Sequence, residues 1–242
     1  MSGHSKWAQI KRQKGTNDAK RGLAFTKLSA AITIAVKQGG GIGDPNQNFH
    51  LRLAVDAARA QNMPKENIER AIARAAGKDA ASMEEAMYEG FGPNGVSIIV
   101  EAATDNKNRT TGDVNNVFNK NGGTMGQPGS VSYQFKQMGR IIVEKNGKTL
   151  DDIFLLAADA GAEDVEDVDN EVFVYTHPGS LNKVREALMA AGLTVKEVEL
   201  MWKPLTIITV DAEETQQKVI SLLDKLEELD DVQKVYSNFD IQ

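Results

Sequence analysis

Seven cations crowd the stretch from Ser2 to Lys27, SGHSKWAQIKRQKGTNDAKRGLAFTK: Lys6, Lys11, Arg12, Lys14, Lys20, Arg21 and Lys27, against one acid, Asp18. His4 and Trp7 are interleaved with them. An ammonium or guanidinium group must stay in water or meet an anion, so packing does not account for this density. The chemistry that suits it is neutralisation of a polyanion, with the Trp7 ring suited to stack on a base or to lie beside a cation. The competing reading is a solvated, frayed arm.

Groups for catalysis are sparse. His4, His50 and His177 fall on an arm, a helix and a Pro-Gly turn, with no metal-ligand spacing. No serine sits in a nucleophile elbow. The chain has no cysteine, which removes disulfides, thiolate metal sites and a Cys nucleophile. These residues predict no enzyme, no catalytic residue, no metal, no cofactor and no small-molecule substrate. The run from Asp151 to Glu171 carries nine carboxylates and no cation, but lacks the spacing and glycine of a calcium loop. It reads as a solvated face or as a docking face for a basic protein partner. TDNKNRT at 104–110 joins a strand end to a helix start, where free N–H groups favour an anion. Asn106, Lys107 and Arg109 there are candidates for an anion contact, with helix capping as the equal alternative.

The overall charge of −6 hides a division. Residues 1–78 hold 14 basic and 5 acidic side chains, a charge of +9, which leaves −15 for 79–242. Such asymmetry concerns partners and orientation: the basic end should face phosphates while the rest is repelled.

The elements that must position these groups follow from periodicity. Phe25, Leu28, Ile32 and Val36 mark a helix over 22–37, ended by Gly39, Gly40 and Gly41. Asp44, Pro45 and Gln47 read as N-cap, first helical residue and capping-box partner of a second helix. A third begins at Pro64, with Ile68, Ala71, Ile72 and Ala75 inward. Lys65 opens it, and Arg70, Arg74 and Lys78 recur every four residues along its outer side. Residues 79–87 read as a linker and 88–95 as a loop. Strands are expected over 96–103, 131–135, 140–144, 165–168, 171–176, 193–201, 205–210 and 232–238. Helices between them are capped by Thr149, Ser180 and Asp211. The predicted fold is multi-domain, α and α+β. A basic all-helical domain spans 1–78, one ferredoxin-like domain is split between 79–136 and 203–242, and a second, over 137–202, is inserted in it.

GHSKWAQIKRQK and DAKRG near the start, NMPKENIERAI at 62–72, YEGFGPNGVSIIVEAATDNKNRT at 88–110 and GAEDV at 161–165 together resemble the YebC family from end to end. That resemblance implies nucleic-acid binding. Bacterial members are described as DNA-binding transcriptional regulators and have been linked to ribosomes stalled on proline-rich stretches, and mitochondrial relatives activate translation of cytochrome oxidase subunit I. The favoured expectation is a non-enzymatic translation factor on ribosomal RNA, with a DNA-binding transcriptional regulator as the alternative and a protein-interaction module with an acidic cleft as the second. The expected contacts are His4, Lys6, Trp7, Lys11, Arg12, Lys14, Lys20, Arg21, Lys27, Lys65, Arg70 and Arg74. No apolar run approaches the ~20 residues that span a bilayer, and no apolar core follows the N-terminal charges, so no membrane partner is expected and the cytoplasm is the expected location.

Overall fold

The computed structural model describes residues 18–76 and 83–241. They form a mixed α/β fold with helices first and antiparallel sheets after them, and divide into two compact units, one of residues 135–203 and one of the remainder.

The larger unit begins with α1 (Asp18–Gln38), α2 (Phe49–Ala60) and α3 (Lys65–Ala75). Ile32, Val36, Leu51, Val55, Ala58, Met63, Ile68 and Ala71 interlock as their shared core. The glycine run closes α1, with Gly40 and Gly41 at φ +69° and +86°, a region L side chains avoid. The second helix starts four residues later than Asp44 predicts. Asn48 is the N-cap: its Oδ1 accepts from Leu51 N at 3.1 Å while its Nδ2 donates to the carbonyls of Ala35 (2.8 Å) and Ile42 (3.1 Å). A buried amide that makes three bonds outcompetes Asp44, which instead accepts from Asn46 N at 2.9 Å on an exposed turn.

Residues 84–91, read from sequence as linker and loop, are strand β1 (Glu84–Phe91). It pairs antiparallel with β2 (Ser97–Thr104), Glu84 opposite Thr104 and Phe91 opposite Ser97. EEAMYEGF contains no β-branched residue, so local preference conceals a strand that cross-strand pairing dictates. Helix α4 (Lys107–Lys120) follows, and then β3 (Thr124–Met125) on the far side of β1. No strand covers 131–135; Ser132–Gln134 is a short 3-10 turn, and Phe135 opens the next strand.

The smaller unit runs β4 (Phe135–Glu144), α5 (Leu150–Ala160), β5 (Asp164–Val168), β6 (Glu171–Thr176), α6 (Leu181–Ala190) and β7 (Val195–Pro204). Its sheet order is β5-β6-β4-β7. Thr149 caps α5 in a reciprocal capping box with Asp152. Ser180 makes no side-chain cap to α6; the turn before it is capped by His177, whose Nδ1 accepts from Gly179 N at 3.1 Å. Ile141, Val143, Val172 and Val174 share the sheet face of Gly139, where a Cβ would lie 2.7 Å from Leu181 of α6. The other face carries Ile142, Phe173 and Tyr175.

After it the larger unit resumes with β8 (Ile208–Thr209), α7 (Glu213–Glu227), β9 (Val232–Ser237) and β10 (Phe239–Asp240). Of the expected 205–210 strand only two residues pair, in parallel with β10. β9 joins β2, giving the order β3-β1-β2-β9, and α4 and α7 cover this sheet through Val114, Phe118, Val219, Leu222 and Leu226. Asp211 does not cap α7; Ala212 is its N-cap, and Glu214 pairs with Lys218 at 2.7 Å.

Candidate nucleic-acid interface

Two helices joined by the four residues 61–64 bring the basic side of α3 into the open. Asn62 supplies the positive φ (56°) that reverses the chain, a conformation Asn tolerates, and Pro64 sits at the N-cap of α3. With Ile68, Ala71 and Ala75 drawn into the core, Lys65, Arg70 and Arg74 fall outside the buried stripe of α3, and all three are exposed. Lys65 has a solvent-screened partner in Glu69 at 3.5 Å. Arg70 and Arg74 have no ion pair among the described residues. Four residues apart, they stand one turn above the other at the rim of a groove of about 200 Å³ between α1 and α3. Phe25 and Met63 supply apolar surface in that groove, and Ser29 and Asn67 polar groups.

The other expected contacts separate into three groups. His4, Lys6, Trp7, Lys11, Arg12 and Lys14 lie outside the described residues, as does Lys78. Lys20 and Arg21 lie in the first turn of α1, so the basic stretch runs into the helix that lines the groove. Lys27 is engaged within the fold, its Nζ donating to the carbonyl of Glu227 at the end of α7. A cation there meets the negative end of the helix dipole and ties α1 to the sheet-covering helix.

The second candidate, Asn106, Lys107 and Arg109, is also occupied from within. Asn106 Oδ1 caps α4 by accepting from Arg109 N at 3.1 Å. Lys107 meets Glu84 at 2.6 Å, which raises the lysine pKa and lowers that of the acid. Arg109 reaches Asp231 and Asp105, each at 2.8 Å, and its pKa is raised chiefly by the bond to Asp231. Asp231 also accepts from Thr110 (2.6 Å) and Thr104 (3.1 Å). Burial pushes the Asp231 carboxyl up, but the bonds from Thr110 and Arg109 outweigh it and hold it below its ordinary value. This knot fastens the start of β9 to the β2–α4 corner across more than a hundred residues of chain.

Much of the acidic run is neutralised inside the smaller unit. Lys203 meets Asp164 (2.7 Å) and Glu166 (2.8 Å) and lies 3.7 Å over the Tyr175 ring, whose hydroxyl donates to Glu166 at 3.2 Å. Burial, reinforced by Glu166, pushes the Tyr175 phenol up. Lys136 pairs with Glu163 and Lys145 with Asp167. Partly buried Arg140 pairs with Glu199 and lies 5.1 Å from the Phe173 ring centre. Among the described residues no group of His, Asp and Glu could hold a metal ion, and no helix is long and apolar enough to cross a membrane.

Two residue sets escaped the sequence reading. Phe25, Ser29, Met63 and Asn67 form a groove because α1 and α3, apart in sequence, pack side by side. Glu89 is a buried carboxylate whose role depends on a loop forty residues later: it accepts from Gly129 N (2.7 Å), Val131 N (2.7 Å) and Ser132 N (2.8 Å). No local pattern announces either.

Comparison with known proteins covers the whole chain. Residues 5–78 match the TACO1/YebC protein N-terminal domain, and residues 83–239 match the TACO1/YebC second and third domain. A protein of Chloroflexus aggregans named a probable transcriptional regulatory protein is 52% identical over 244 residues, covering 100% of this chain and 96% of the relative. One of Persephonella marina with the same name is 49% identical over 243 residues, with the same coverage. Among solved structures, a conserved hypothetical protein from Aquifex aeolicus superposes with a TM-score of 0.83 at 43% identity, covering 93% of this chain and 92% of that one.

Proposed function

This chain belongs to the TACO1/YebC family, and on that premise we propose that it is a non-enzymatic, DNA-binding regulator of transcription whose basic helical part meets the phosphate backbone. The observation that carries the proposal is the pair of exposed arginines on α3 that have no ion pair among the described residues, in the part of the chain that holds +9 while the remainder holds −15. A cation without an internal partner keeps its full attraction for phosphate, and the acidic remainder disfavours every other orientation. The short α2–α3 connection is of helix-turn-helix length, which suits a helix presented to a duplex. The names of the relatives support transcription over the ribosomal reading favoured from sequence. The scaffold carrying the basic part is, on this reading, one ferredoxin-like α+β domain split between 79–136 and 203–242 with a second, 137–202, inserted in it, and the strand order β5-β6-β4-β7 of the smaller unit supports the second. Its place of action would be the cytoplasm.

The test is crosslinking in cells followed by sequencing of DNA and RNA fragments, on the wild type and on a protein with Lys11→Glu and Arg12→Glu. Discrete promoter fragments, lost in the double variant, are the expected result. Ribosomal RNA crosslinks at one site, lost in the same variant, would replace the transcriptional reading with the translational one. On purified duplex, engagement of six phosphates gives a slope of log affinity against log salt near roughly −5.

A further inference from the structure

We propose that the groove between α1 and α3 takes one unstacked nucleobase of the bound DNA, with the flanking phosphates on Arg70 and Arg74. The inference rests on the DNA-binding reading and goes beyond it, since phosphate contacts alone need an open cationic surface and no groove. Here a groove of about 200 Å³ lies directly beneath the two arginines. Its apolar surface is the half-buried Phe25 ring and the Met63 side chain, 6% exposed, which together offer a flat aromatic face and a polarisable thioether. Any base has a π-face to lay on such a surface, so this contact selects for an unstacked base more than for its identity.

Polar groups complete the site. Ser29 on α1 and Asn67 in the first turn of α3 face the groove from opposite walls, and neither side chain has a hydrogen-bond partner among the described residues. A hydroxyl and a carboxamide both donate and accept, as the edge of a base requires. Asn48 and Arg52 in the same bundle are engaged within the fold, Asn48 capping α2 and Arg52 donating to the carbonyls of Pro45 and Asn46, each at 3.0 Å, whereas Ser29 and Asn67 keep their polar groups for the groove. Arg70 and Arg74, one helical turn apart on the rim, flank the opening and are placed to bracket a nucleotide whose base has entered.

The experiment uses the full chain and two labelled DNA duplexes, one perfectly paired and one with a single extrahelical 2-aminopurine. Binding is followed by anisotropy, and the environment of the base by its own fluorescence. The bulged duplex should bind roughly tenfold more tightly, with the 2-aminopurine emission dimmed on stacking. Phe25→Leu, which keeps the apolar volume and removes the aromatic face, and Asn67→Ala should each erase that preference, bringing the affinity for the bulged duplex level with that for the paired one. Arg70→Gln with Arg74→Gln should weaken both duplexes. Equal affinity for the two duplexes, or a preference that survives Phe25→Leu and Asn67→Ala, overturns the groove as a base site and leaves the DNA-binding function standing. Failure to bind either duplex overturns both.

Discussion

Replacing Glu89 by Gln removes one negative charge from a buried site and alters little else. Glu89 is 2% exposed, and its two oxygens accept from three backbone N–H groups of the 126–134 loop. Burial alone would push this carboxyl up; the N–H groups of Gly129, Val131 and Ser132 more than offset that and hold it below its ordinary value. Glutamine brings one oxygen and one amino group. With its oxygen turned to Val131 and Ser132, the amino group confronts the Gly129 N–H, donor against donor. A bond to an ionised acceptor contributes about 1.5–3 kcal/mol and a neutral one about 1 kcal/mol. Losing one and weakening two, offset in part by no longer burying a charge, leaves a net cost of about 2 kcal/mol. Local opening of the loop then becomes about 30-fold easier. The assay is hydrogen exchange at the Val131 amide, compared as protection factors between wild type and variant. The pH dependence has a definite sign. A depressed folded-state pKa gives a stabilisation fully present above the unfolded glutamate value of about 4.3, and lost as pH falls through the depressed one. The gap between the two proteins should therefore close on acidification below about pH 4. Equal protection at neutral pH, or a gap that persists unchanged into acid, would refute the reasoning.

Asp231→Ala should lower the stability of the larger unit by about 1–3 kcal/mol in urea unfolding, because Arg109, Thr110 and Thr104 lose their common acceptor. Lys107→Ala, whose Glu84 pair is exposed, should leave the unfolding midpoint unchanged. Gly90→Ala places a Cβ 2.8 Å from the Phe118 ring and from the Thr124 carbonyl, so thermal unfolding should show a loss of about 1–3 kcal/mol. Arg70→Gln and Arg74→Gln should each reduce the salt slope of duplex binding by about 1 with the circular dichroism spectrum unchanged.

Local chemistry determined a large part of this protein before any packing is considered. The apolar spacing of Phe25, Ile32 and Val36, the glycine stop at 39–41 and the Thr149 cap specify helices through neighbours three or four residues apart, and such interactions are written in the local sequence. The charge division between 1–78 and 79–242 is likewise a property of composition alone. What the sequence could not show is which charges remain available. Arg109, Lys107 and Lys27 are as basic in the sequence as Arg70 and Arg74, yet the fold brings Asp231, Glu84 and the end of α7 to the first three and, among the described residues, no ion pair to the last two. The strand at 84–91 was hidden for a related reason: its sequence has weak strand preference, and its conformation comes from pairing with β2 and β3. Glu89 and the α1–α3 groove exist only once segments about forty residues apart are adjacent. Contacts of that separation are decided by the burial of the whole core, which no window of sequence contains.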